Sequence, residues 1–68
     1  MIEYTNSQIA DLIDEYIHSQ RDRDLLKDRL INGYTYEKLA EKYELSVAQV
    51  KRIVYKEQSR LFKHIPNF

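Results

Sequence analysis

The stretch of residues 35–54 constrains the fold most, because its apolar residues have the spacing of two short helices joined by a tight turn. The apolar positions are Leu39, Ala40, Tyr43, Leu45, Val50 and Ile53. We expect a first helix over Tyr36–Tyr43, a turn filled by Leu45 and a second helix that starts from Ser46. Ala40 is small enough to let two helix backbones approach closely at a steep crossing. This arrangement is a helix-turn-helix.

The second helix of this motif is predicted to leave one side free of the core. Its outward residues are Ser46, Ala48, Gln49, Lys51, Arg52 and Tyr55. In a helix-turn-helix this side enters the DNA major groove, where Arg52 suits a guanine edge and Lys51 a guanine or a phosphate. Lys56 continues the basic stripe, and Lys38 and Lys42 lie on the helix that crosses the DNA backbone. The alternative is an ordinary solvated helix face.

A longer ordered series of positions surrounds the motif: Leu26, Leu30, Thr35, Lys38, Leu39, Ala40, Ser46, Val50, Ile53 and Leu61. Over residues 21–65 the chain resembles region 4 of bacterial RNA polymerase sigma factors (the sigma-70 family) and the small phage and mobile-element regulators built on that module. The resemblance implies sequence-specific binding of double-stranded DNA in transcription regulation. It also implies RNA polymerase as a second partner.

The chain departs from the family pattern at five positions. Glu44 stands in the turn where Gly is usual, and we expect it to adopt a positive φ at some cost. Glu57 falls on the inward stripe of the last helix, where a small apolar residue is usual, and Lys38 replaces the preferred Glu. Val47 and Ala48 occupy the helix tip, where sigma factors often carry charges. Val47 suits either a thymine methyl or packing under the preceding helix.

The remaining elements complete an all-α prediction, since the chain has one Gly and one Pro. We expect a helix over residues 6–19 with a Thr5–Gln8 capping box, and a helix over residues 20–32 capped by Ser19. Gly33 is expected to end this second helix in a left-handed conformation, and Pro66 to stop the last helix near residue 64. The predicted core comprises Ile9, Leu12, Ile13, Tyr16, Leu26, Leu30, Leu39, Ala40, Leu45, Val50, Ile53 and Leu61. We therefore expect residues 1–68 to form one four-helix helix-turn-helix domain, with a three-helix core and an N-terminal accessory helix.

The chain composition excludes several classes of protein. Without cysteine there is no disulfide framework and no thiolate metal site, and the two histidines lie far apart, so we expect no metal or cofactor. The longest apolar runs are two or three residues, and the start lacks the features of a signal peptide, which predicts a cytoplasmic protein without a membrane span. Asp11, Asp14 and Glu15 lie on the solvent side of the first helix, without the cleft that acid catalysis needs. We therefore expect no enzymatic activity.

The charges are unevenly distributed along a chain of zero net charge. Residues 1–35 contain seven acidic and four basic residues, whereas residues 36–68 contain seven basic and four acidic residues. The basic half holds the expected recognition helix, where phosphates would be met. The acidic half is expected to face away from DNA, towards a protein. The alternative is that the charges only solubilise a helical bundle.

Two other functions fit the same pattern. Zero net charge and the apolar helix tip favour a protein-interaction module of sigma-like fold that docks on RNA polymerase or another regulator. The DNA-recognition part of a phage packaging subunit is a third possibility. A domain of 68 residues makes few phosphate contacts, so tight binding would need RNA polymerase or a second copy. A homodimer would use the first helix, whose apolar stripe can cover the core and leave one or two residues for a partner.

Overall fold

The computed structural model describes residues 4–64, which form four α-helices. They are α1 (Asn6–Tyr16), α2 (Gln20–Leu30), α3 (Tyr36–Tyr43) and α4 (Val47–Phe62). The all-α four-helix prediction is confirmed, and α3 has the predicted bounds. Helix α4 ends at Phe62, just before the predicted residue 64, and Pro66 itself lies outside the described residues. Within residues 4–64 no helix has both the length and the apolar character needed to cross a bilayer.

A serine or threonine side chain caps the start of each of the four helices. The caps are Thr5, Ser19, Thr35 and Ser46, and each accepts a hydrogen bond from the backbone N–H three residues later. Gln8 and Gln49 complete full capping boxes at α1 and α4. Such a cap stabilises a helix by about 1 kcal/mol. The cap at Ser19 also explains why α1 and α2 are separate helices.

Helix α1 ends at Tyr16, earlier than the predicted residue 19. Ile17 has an extended backbone (φ −104°, ψ 124°), and its carbonyl accepts a hydrogen bond from Arg23 Nε. The extended conformation carries Ile17 into the core, where it is fully buried. Burial of Ile17 and the cap at Ser19 therefore end the helix together.

Helix α2 ends at Leu30, earlier than the predicted residue 32. Gly33 has φ +74°, and the next residue, Tyr34, donates its backbone N–H to the Asp28 carbonyl at 3.0 Å. This is the reversal expected of a glycine just past a helix end. Asn32 belongs to the turn, where its side-chain amide donates to the Asp28 carboxylate at 2.9 Å. The predicted left-handed Gly33 is confirmed.

The turn between α3 and α4 is built on a left-handed glutamate. Glu44 has φ 55° and ψ 47°, as the sequence predicts, and its N–H donates to the Ala40 carbonyl. The N–H of Leu45 donates to the same carbonyl at 2.9 Å. Both bonds satisfy the end of α3 and bring the chain to Ser46, where α4 is capped.

The fully buried core draws on all four helices and the α1–α2 loop. It comprises Ile13, Ile17, Leu25, Leu26, Leu39, Val50, Val54 and Leu61. The other residues of the predicted core are partly buried and pack against it: Ile9, Leu12, Tyr16, Leu30, Ala40, Leu45 and Ile53. The predicted core lacks three residues that are fully buried in the structure: Ile17, Leu25 and Val54. Val54 lies one turn after Val50 and therefore shares its inward stripe.

Helix α2 is the central element of the bundle, since it packs against the other three helices. Helix α3 packs against α2 and α4, which forms the helix-turn-helix unit. Helix α1 packs against α2 and α4, and within the described residues it does not contact α3. The accessory helix therefore completes the core without covering the α3–α4 turn.

Candidate nucleic-acid interface

The candidate interface is the outward face of α4, whose rotation is fixed by its buried residues. Val50, Val54, Glu57 and Leu61 face inward. The residues predicted to contact DNA are all exposed: Ser46, Ala48, Gln49, Lys51, Arg52, Tyr55 and Lys56. Lys38 and Lys42 on α3 are exposed too. Val47 is half-buried, so its exposure is intermediate between that of a residue packed under α3 and that of a residue free to contact a thymine methyl.

The first turn of α4 commits some polar atoms and leaves others available. Ser46 Oγ accepts from the Gln49 N–H at 3.1 Å, and Gln49 Oε1 accepts from the Ser46 N–H at 2.9 Å. The oxygen of the Gln49 amide is therefore used by the cap. Its Nε2 group can still donate hydrogen bonds to a ligand.

Tyr36 links three helices at the edge of this face. The Arg29 guanidinium lies 4.2 Å from the Tyr36 ring centroid, and Lys51 Nζ lies 5.7 Å from it. The Tyr55 ring meets Tyr36 edge-on, with centroids 6.4 Å apart. A side-chain hydrogen bond with Tyr36 raises the pKa of Tyr55. The Tyr36 ring thus brings Lys51 near Arg29 and Tyr55, and these side chains could meet a phosphate together.

Lys42 is engaged by a buried carboxylate. Its Nζ lies 2.7 Å from Asp28 Oδ2, which also accepts from the Tyr43 hydroxyl at 2.6 Å. Burial raises the pKa of Asp28, but hydrogen bonds from Lys42, Tyr43 and Asn32 outweigh it and hold that pKa below the ordinary value of 3.8. The bond to Asp28 likewise raises the pKa of Lys42. Lys42 therefore joins α3 to α2, in addition to any role towards DNA.

Two other cations that were predicted to contact DNA have side chains without a partner among the described residues. Within residues 4–64 the side chains of Lys38 and Arg52 make no hydrogen bond, ion pair or ring contact. Such side chains can turn to an approaching anion without first breaking a protein contact. They differ in this respect from Lys42 and Lys51.

A pair of buried acids lies beneath the outward face of α4. Glu57 and Asp22 are 2% and 5% exposed, and Arg60 Nη1 lies 3.5 Å from Glu57 Oε1. Burial raises the pKa of Glu57, and a hydrogen bond to Asp22 raises it further, because only the protonated acid can donate that bond. The predicted inward position of Glu57 is confirmed. The fold thus accepts a glutamate there by favouring its neutral form.

Two of the cavities on the surface of the described residues are lined by residues of this face or of its supports. One, of about 180 Å³, is lined by Arg21, Leu45, Gln49, Arg52 and Ile53. The other, of about 380 Å³, is lined by Asp24, Lys27, Asp28, Asn32, Lys42 and Tyr43. Within residues 4–64 no group of three or more histidine, cysteine, aspartate or glutamate side chains is placed to hold a metal ion.

Tyr36 was expected at the start of α3, to pack on the core or to reach a phosphate with its hydroxyl. Sequence reasoning missed three other residues of this surface and its supports. Asp28, Arg29 and Arg21 lie on α2, in the half of the chain expected to face away from DNA. Their contacts join residues of different helices, so no local spacing pattern indicates them. The acidic and basic halves of the sequence are therefore not fully separated in the folded protein.

Comparison with known proteins adds no information on function. No family model, no curated protein and no solved structure matches this chain.

Proposed function

We propose that this protein binds double-stranded DNA in a sequence-specific manner and acts in transcription regulation, with α4 as its recognition helix. The observation that carries the proposal is the α3–turn–α4 unit, in which the outward side chains of α4 are exposed together. A helix presented in this way fits the major groove, and its first residues can reach base edges.

The charges on this unit support the proposal. Lys51, Arg52 and Lys56 lie on the exposed face of α4, and Lys38 lies on α3. Cations in these positions would meet phosphates and release counterions, which favours binding. Zero net charge does not oppose this, since acids such as Asp11 and Asp14 lie on α1.

The resemblance to sigma factor region 4 supports a more specific setting. It suggests a small bacterial regulator of a phage or mobile element, acting in the cytoplasm, where DNA and RNA polymerase are found. A homodimer through α1 would bring two recognition helices to one palindromic site. Sedimentation at micromolar concentration, with and without DNA, tests this assembly. A monomer that alone binds an asymmetric site tightly would contradict it.

The DNA-binding proposal is tested by measuring affinity for random duplex DNA across a range of salt concentrations. We expect binding that weakens steeply with salt, because several phosphates are neutralised. Lys51→Gln should weaken binding. Lys27→Gln is a matched control, since Lys27 belongs to α2, pairs with Asp14 on α1 at 2.7 Å and is not among the residues of the outward face of α4. Equal binding by both variants would remove Lys51 from the interface.

A second candidate function is docking on RNA polymerase or another regulator through the same fold. It is favoured by the exposed acids Asp11, Asp14 and Glu15 on α1, a surface suited to a basic partner. A docking module would show no DNA affinity at any salt concentration, but would bind purified RNA polymerase. The same salt titration therefore separates the two functions.

A further inference from the structure

We propose that Arg21, Gln49 and Arg52 form a clamp for one phosphate of the DNA backbone. The inference rests on the proposed function and extends it, because it carries the DNA-binding surface from α4 onto the first turn of α2. It also assigns Arg52 to a phosphate, in place of the guanine edge expected from the sequence.

The clamp is built around the smaller surface cavity. Its volume of about 180 Å³ is below the ~300–1,000 Å³ of ordinary small-molecule pockets, so it suits a single chemical group. Leu45 and Ile53 provide its apolar wall, and no acidic residue lines it. The other lining residues are Arg21, Gln49 and Arg52, of which two are cationic and one carries an amide donor, a set that favours an anion.

Arg21 is held at the cavity by a neighbouring acid. Its Nε and Nη2 groups both lie 3.3 Å from Asp22 Oδ1, and the Asp22 side chain is almost completely buried. These are long bonds to one oxygen, so the guanidinium is oriented without being saturated. The Arg21 side chain is 53% exposed and keeps Nη1 for a second anion.

Gln49 is oriented by the cap of α4. Because Oε1 accepts from the Ser46 N–H, the amide has its oxygen directed at the helix start. Nε2 is the group left to interact with a ligand, and it is a donor only. The capping box therefore stabilises α4 and also leaves the Gln49 Nε2 group available to donate a hydrogen bond to a phosphate.

Arg52 completes the clamp from the next turn of α4. It lies three residues after Gln49 and therefore on the same side of the helix. Its side chain makes no contact with another described residue that would compete for an anion. Two arginines from separate helices thus line one cavity, and an anion bound there would be attracted by both.

A phosphate is favoured over a carboxylate because of the surroundings of the clamp. Gln49 and Arg52 belong to the exposed face of α4 that carries Lys51 and Lys56. A polyanion lying along this face would meet all of these groups in succession. An isolated acidic side chain of a protein partner would use only the clamp.

The test compares Arg21→Gln and Arg52→Gln with the control Lys27→Gln, which makes the same change of charge away from the cavity. The double variant should lower the slope of log affinity against log salt by about 0.9, the contribution of one phosphate, and each single variant should lower it by part of that amount, uniformly across DNA sequences. The control should keep the parent slope. In the parent, the Nε–H NMR signals of Arg21 and Arg52 should shift together when random duplex DNA is added. Thermal melting checks that each variant is folded.

The outcomes distinguish the clamp from the proposed function. If the parent binds no DNA, both proposals fail. If it binds DNA and Arg21→Gln keeps the parent slope, only the clamp fails. An Arg52→Gln variant that loses preference at one base pair, without a change of slope, also overturns the clamp. Inorganic phosphate and polyglutamate serve as further probes, and arginine shifts with either, but not with DNA, would contradict a backbone phosphate as the ligand.

Discussion

The carboxylate of Asp28 and the ammonium group of Lys42 lie 2.7 Å apart and join α2 to α3. The Asp28 side chain is 9% exposed, whereas that of Lys42 is 45% exposed, so the carboxylate depends more on the contact. Tyr43 and Asn32 donate to the same carboxylate. Through Lys42 and Tyr43 these hydrogen bonds tie α3 to α2, and they add to the packing of Leu39 in the core, which also holds α3.

Replacing Asp28 by asparagine should destabilise the domain. The substitution keeps the shape of the side chain but removes the charge that accepts from Lys42, Tyr43 and Asn32. We expect a loss of about 1–3 kcal/mol in the free energy of unfolding, measured by urea denaturation. Asp24→Asn is the control, since Asp24 is exposed. Equal stability of the two variants would mean that the Asp28 contacts do not stabilise the fold.

Stability should depend on pH in two opposite ways. The pKa of Glu57 is raised above its ordinary value of 4.5, so the folded state retains a proton that the unfolded chain releases. This contribution is present below pH 4.5 and is lost as pH rises through the folded pKa. The pKa of Asp28 is lowered, so its contribution is present above pH 3.8 and is lost as pH falls through the folded pKa.

Replacing Glu57 by glutamine should remove the loss of stability on the alkaline side. The amide can still donate to Asp22 but does not titrate, and the nearby Arg60 and Lys56 are unchanged. Urea denaturation from pH 4.5 to neutral should show falling stability in the parent and a flatter profile in Glu57→Gln. A parent profile without this fall would show that burial does not raise the pKa of Glu57.

Enlarging Ala40 should overpack the contact between α3 and its neighbours. Ala40 is partly buried and packs against the core. Ala40→Leu should cost on the order of 1–3 kcal/mol, because the added methylene groups force nearby side chains apart. Ala48→Leu is the matched control on the exposed side of α4 and should change the melting temperature little. If Ala40→Leu melts like the parent, Ala40 is not at a close approach of helices.

Replacing Glu44 by glycine should stabilise the domain. Glu44 has φ 55°, a conformation that costs an ordinary residue about 1–2 kcal/mol and glycine very little. Glu41→Gly, in the interior of α3, should instead lower stability by about 1 kcal/mol. Opposite shifts of the denaturation midpoint are expected. A lower midpoint for Glu44→Gly would mean that flexibility of the unfolded chain outweighs the relieved strain.

The features that the sequence predicts are those set by neighbours three or four residues apart. The caps at Thr5, Ser19 and Ser46 and the positive φ of Glu44 are of this kind, and all are confirmed. The bounds of α3 follow from the same local signals. The apolar stripe of α4 also predicted the inward position of Glu57, since helical periodicity fixes it.

The features that the sequence does not predict depend on packing between helices. Lys42 bonds to Asp28, 14 residues earlier in the chain, and no spacing rule indicates such a pair. The approach of Arg21 to Gln49 and Arg52 likewise depends on how α2 crosses α4. The early end of α1 at Tyr16 is set by the extended, buried Ile17 together with the cap at Ser19, which outweigh a periodic pattern that could have continued the helix.

The central claim is that α4 meets DNA, and NMR titration of the protein with random duplex DNA tests it most directly. We expect the largest amide shifts at Ala48, Lys51 and Arg52, smaller shifts at Lys38, and none at the exposed Asp11 of α1. These shifts should disappear as salt is raised, because phosphate contacts dominate non-specific binding. An unchanged spectrum at low salt, or shifts confined to α1, would contradict the assignment of α4 as a recognition helix.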